Sequence, residues 1–174
     1  MKFIAKPKAG VPEFYIPYMA KVPDDGNLLQ HLADILAETE DLALSLTEEQ
    51  LDYRYAPGKW TIKDVLLHLS DCERILVYRT TRIARGDKTD LPGFDQELFA
   101  ANARAGERNI GSILEELKAA RAATIIFLDT LDDEALDRTG TANGYPMQAR
   151  LLVNHIYGHH KHHLDIIKER YLGL

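Results

Sequence analysis

Five of the seven histidines in this 174-residue chain fall within nine residues, HIYGHHKHH, from His155 to His163. Neutral imidazole is the commonest metal-ligating side chain and binds zinc, nickel, copper and iron. The cluster runs on into LDIIKERYL, whose apolar periodicity marks native helix rather than a tag. At about 100° per residue, positions four apart share a helix face. His155, His159 and His163 therefore form one series, with His162 close to the same arc and His160 pointing away from it. A chelating pair is either His155/His159 or His159/His163.

Two ligands seldom suffice to hold an ion. Outside the cluster stand only His31 and His68, and Cys72 is the only thiol. His68 lies within VLLHLSDCE between Leu67 and Leu69, a setting that predicts burial and so requires a hydrogen-bond partner or a metal. Cys72, one turn later, is a possible soft ligand, although a helical cysteine is more commonly a small packing residue. Three histidines from two helices would leave coordination positions open, as catalytic rather than structural metal sites do. Asp71, His155 and His162 are the candidate neighbours that would orient the ligands. Motifs for competing chemistries are missing: there is no Glu-x-x-His, His-Glu-x-x-His, Walker loop, Gly-x-Gly-x-x-Gly, Gly-x-Ser-x-Gly or Cys-x-x-Cys.

Four amphipathic segments can position these residues. Asp24 and Asp25 open the first, whose stripe runs Leu28, Leu32, Ile35, Leu36, Thr39, Leu42 and Leu46. Thr61, followed by Asp64, caps the second, which runs to about Arg85. The third spans about Phe94 to Leu131 with an interruption between Gly106 and Gly111. The fourth runs from about Met147 to Tyr171. Residues 132–146 carry turn signals, and no segment has a convincing strand pattern. The expectation is an all-α four-helix bundle over residues 24–174. Residues 1–23, with Pro7, Pro12, Pro17 and Pro23 among aromatics, should form an extended arm on its surface without regular helix.

Composition narrows the function. The chain is 45% hydrophobic and 28% charged, as a globular domain is, and its net charge of -6 argues against a general nucleic-acid binder. A lone cysteine fits a reducing compartment. With no signal-peptide pattern and no long apolar run, a cytoplasmic protein without a membrane span is expected. An apolar stripe left exposed on a long bundle helix would allow a homodimer.

The segment PGKWTIKDVLLHLSDCERILVYRTTRIARGD from Pro57 to Asp87, the Leu91-Pro-Gly-Phe-Asp95 turn and the closing GHHKHHLDIIKERYL together resemble the DinB-like superfamily. The resemblance covers roughly residues 28–172. It implies a four-helix bundle holding a divalent metal on one histidine of the second helix and two of the fourth; zinc or nickel is the ion expected here. Carried onto this chain, these are His68, His159 and His163. Trp60 and Asp71 also match recurrent positions. Characterised members resemble transferases and isomerases that use low-molecular-weight thiols, and some are described as metal-dependent hydrolases. The implied activity is therefore thiol-dependent S-transfer to a small-molecule electrophile. The alternatives are hydrolysis by water activated on the metal, or a non-catalytic metal or small-molecule binding protein of a stress response.

Overall fold

The computed structural model describes residues 2–174. Four long helices dominate: α1 (Leu28–Ser45), α2 (Ile62–Ala84), α3 (Ile110–Asp129) and α4 (Ala149–Ile166). Both α1 and α2 pack against α3 and α4, so the first two helices lie diagonally across the bundle rather than side by side. Among the described residues, no helix is long and apolar enough to cross a membrane.

The local signals explain most boundaries. Thr61 Oγ1 accepts from Asp64 N–H while the Asp64 carboxylate accepts from Thr61 N–H, closing a capping box at the start of α2. The third segment is interrupted as expected: Gln96–Ala103 is helical, a 3-10 turn covers Ala105–Glu107, and Asn109 caps α3. α4 extends through a wider π turn, Ile167–Leu172, before Gly173 stops it in the left-handed region.

Five expectations are corrected. Asp24 and Asp25 do not begin α1; the Asp25 carboxylate instead accepts from Asn27 N–H and pairs with His31, and the helix starts at Leu28. The arm contains a 3-10 turn, Glu13–Tyr15, and a one-turn helix, Ile16–Met19, because Pro17 sits in its first turn, where a missing N–H costs nothing. A short helix, Asp133–Asp137, occupies part of the expected turn region. There is also a small sheet: β1 (Asp90–Leu91) pairs parallel with β2 (Thr139–Ala142), which pairs antiparallel with β3 (Tyr145–Gln148). Its strands are too short and too poor in branched residues to show a period-two pattern. The Asn143-Gly144 turn, with both residues at positive φ, was the legible trace of this hairpin. Met147 belongs to β3, so α4 begins two residues later than its apolar pattern suggested.

The core is divided into two apolar clusters, one around Leu29, Leu32, Ile83, Leu128 and Leu152, the other around Leu66, Leu69, Ile113 and Leu117. Between them lies a polar layer to which every bundle helix contributes one side chain: Thr39, Glu73, Arg121 and His160. Arg121, 1% exposed, donates through Nε and Nη2 to the Glu73 carboxylate at 2.9 and 2.8 Å, and through Nη1 to Leu32 O. Its Nη2 also donates to His160 Nδ1 at 3.0 Å, which leaves His160 Nε2–H to donate to Thr39 Oγ1 at 2.8 Å. The Thr39 hydroxyl in turn donates to Ile35 O. Burial and the Arg121 charge hold His160 well below its ordinary pKa, consistent with this neutral tautomer.

The arm is seated on α4. Gly158 admits the backbone of Tyr18, and a Cβ at that position would stand 2.4 Å from Tyr18 O. Ile4, Tyr15, Met19 and Val22 are buried.

Two outcomes follow. Arg121→Met strands the Glu73 carboxylate and should cost about 3–5 kcal/mol in urea denaturation, whereas Arg121→Met combined with Glu73→Met should recover most of that loss. Gly158→Ala gains about 1 kcal/mol of helix propensity in principle. Because the new methyl meets Tyr18, it should nevertheless lower Tm and speed limited proteolysis within residues 1–23.

Candidate metal centre

The middle of α2 and the second half of α4 face each other, and their imidazoles converge. His68 Nε2 lies 3.1 Å from His159 Nε2, which lies 3.1 Å from His163 Nε2. Each neutral imidazole has one proton and one in-plane lone pair. His159 Nε2 therefore engages only one neighbour by a hydrogen bond, and the three nitrogens cannot satisfy one another. Two nitrogens bound tetrahedrally to one zinc ion would stand about 3.3 Å apart, given bonds of about 2.0–2.1 Å. The two spacings to His159 and the donor chemistry fit a divalent ion.

Cys72 stands closer to this centre than a packing residue need be. Its Sγ is 3.5 Å from His68 Nε2, and His68, Cys72 and His159 offer donor atoms all within 4.8 Å of one another. Burial pushes the Cys72 thiol up to about 12, so without an ion it stays protonated. Burial also draws His68 down to about 4 and His163 to about 3, and His159 well below its ordinary value. These rings are neutral near pH 7, the form that ligates.

The other candidates separate. His155 is buried, held edge-on by Tyr15 and Tyr18 at 4.7 Å, and its Nδ1 has no hydrogen-bond partner. His162 is half-buried and packs against Tyr18. Asp71 turns away from the histidines to Arg74, at 3.5 Å. His160 belongs to the polar layer. His31, at the surface, pairs with Asp25.

Three elements outside the helical motif complete the site. Trp60, just before the cap of α2, lies 4.7 Å from the His68 ring and stacks towards His163, while its Nε1–H donates to Glu97. Tyr171 of the π turn donates to Trp60 O and fixes that residue from below. On the opposite side, Tyr15 and Tyr18 of the arm wall a cavity of about 190 Å³ that His159 shares with Cys72, Arg79, Phe94 and His155. The arm's contribution was not readable, since nothing in its spacing points at α4; its aromatics between prolines were the available signal. Arg79 falls on the stripe of α2, three residues after Leu76 and four before Ile83, where periodicity alone does not separate a break in the stripe from a buried functional charge.

A family model described as the DinB superfamily matches residues 31–167. A curated relative from Oceanobacillus iheyensis, named a candidate metal-dependent hydrolase, is 22% identical over 161 residues, 91% of each chain. YfiT from Bacillus subtilis, described as a candidate metal-dependent hydrolase with an unusual four-helix bundle topology, aligns with a TM-score of 0.75 at 19% identity, over 94% of this chain and 90% of its own. The structural likeness speaks for the fold. The family match runs through all four helices and both halves of the histidine site, and the chain belongs to the DinB superfamily.

Proposed function

We propose that this protein is a divalent-metal enzyme acting on a small molecule, with the ion held by His68, His159 and His163. The observation that carries this reading is the convergence of three neutral Nε2 atoms, those of the buried His68 and His159 and of the half-buried His163, that cannot satisfy one another by hydrogen bonding. Zinc or nickel suits imidazole donors. When bound, such an ion supplies Lewis-acid activation of a nucleophile.

The protein's own residues would prepare the site. Trp60 and Tyr171 brace His68 and His163, while Tyr15 and Tyr18 exclude bulk water on the cavity side. Hydrolysis is the first reading, supported by the descriptions of both relatives. S-transfer from a low-molecular-weight thiol is the second. It is favoured by the cavity wall, which includes no Asp or Glu to serve as general base for water. A panel of esters, amides and lactones without thiol, against electrophiles with small thiols, separates the two. Cys72 divides catalysis from mere binding. As a fourth ligand it would close the site, and a cobalt-loaded protein would then show thiolate-to-metal charge transfer.

Protein purified without a tag should carry about one equivalent of zinc or nickel. His159→Ala should reduce it to background, with His68→Ala and His163→Ala close behind, and Cys72→Ser should leave it intact. A wild-type chain without metal affinity would overturn the reading.

The metal-free protein should be acid-sensitive. Unfolded histidines titrate near 6.5, whereas His68, His155 and His163 are held down to about 4, 3 and 3 by burial. The native state therefore binds fewer protons. Stability is fully present above pH 6.5 and falls as pH drops toward the folded values, by up to about 1.4 kcal/mol per unit for each histidine. Urea midpoints at pH 7.5 and 5.5 in the presence of a chelator should show the loss.

A further inference from the structure

Among the described residues, four cationic side chains are buried: Lys63, Arg79, Arg121 and Arg150. Three are neutralised. Lys63 meets Glu48 and Asp52, Arg121 meets Glu73, and Arg150 meets Asp133 and Asp137. Arg79 alone has no carboxylate within ion-pair distance among the described residues. It is 6% exposed, and its one hydrogen bond runs from Nη2 to the Pro92 carbonyl at 2.7 Å. A guanidinium has five N–H donors, and an uncompensated buried charge is costly.

The surroundings show where the missing partner belongs. Arg79 lies on α2, two turns beyond Cys72, and lines the same cavity as His159. Its positive field reaches Tyr15, Cys72 and His155 across that space. The Pro92 carbonyl holds the guanidinium from the loop side, and this loop is pinned by Asn143 N–H donating to Leu91 O at 2.8 Å. His155, with its unpartnered Nδ1, lies on the same wall. Phe14, Tyr15, Tyr18 and Phe94 make much of the remaining lining aromatic.

We propose that Arg79 is the anion clamp of the substrate site: it binds a carboxylate or phosphate group of a small substrate whose apolar body lies among the aromatics. The substrate class is thus a small organic anion, with its reacting bond presented toward His159. The inference rests on reading the histidine site as the reactive centre, but the clamp is testable without an ion.

The test uses the full chain in excess chelator, titrated by calorimetry with phenylacetate, phenyl phosphate and the neutral phenylacetamide. Charge-assisted hydrogen bonds should make at least one anion bind about tenfold or more tightly than the amide. Which anion wins identifies the group that the clamp prefers. In Arg79→Met the preference should vanish, while metal stoichiometry stays that of the wild type. Equal affinity for anions and amide, or a preference surviving in Arg79→Met, would overturn the clamp. Should that variant fold poorly, NMR of the wild type decides: the Arg79 Nε–H resonance, assigned with Arg79→Lys, moves with an anion but not with the amide. An unmoved resonance overturns the proposal. An anion preference in a chain that binds no metal would leave the clamp standing and remove the reactive centre.

Discussion

Arg121 carries a positive charge into the middle of the bundle, where it is bound by Glu73, the Leu32 carbonyl and His160, and through His160 to Thr39. One side chain comes from each long helix, so this layer ties the four together at a single height. A buried ion pair adds little over an apolar isostere, yet each member is costly when left alone. The layer therefore penalises any slip or rotation of a helix that would break a contact. His160 is the member that matters most for the site. Adjacent helical positions differ by about 100°, so locking His160 onto Arg121 aims His159 at α2. Glu73 does the same for its neighbour Cys72.

The site that results is pre-organised in an unfavourable state. Buried imidazoles crowd their lone pairs, the nearby thiol is protonated, and a guanidinium stands without a counter-charge. A stable core would avoid each of these. On the proposed reading, an ion beside His159 and an anionic ligand beside Arg79 would relieve them together. Leu66, Leu67 and Leu69 of the second core cluster flank His68 along α2, and Tyr15 and Tyr18 of the arm wall the cavity beside His159.

The histidine-rich helix, the cap of α2, the interrupted third segment and the lone His68 were legible because each is a local pattern: a period, a capping box, a glycine pair. The polar layer was not read from the sequence. Glu73 and Arg121 occupy stripe positions, four residues after Leu69 and Leu117, where a charge signals either a break in the stripe or a buried partner. Periodicity does not say which. The small sheet has no legible pattern, since strands of two to four residues have too few positions to display alternation, and prolines mask the one-turn helix in the arm.

The sequence by itself determined the four-helix architecture and the histidines that could act together, since both follow from helical spacing over short distances along the chain. Tertiary structure decided which of them meet. It placed His68 against His159 and His163, withdrew His160 into the polar layer, turned Asp71 to Arg74, and brought Cys72, Arg79 and the arm's tyrosines to one cavity. These are contacts between residues dozens of positions apart. Their geometry is set by how helices pack and rotate against one another, which no spacing within a single helix encodes.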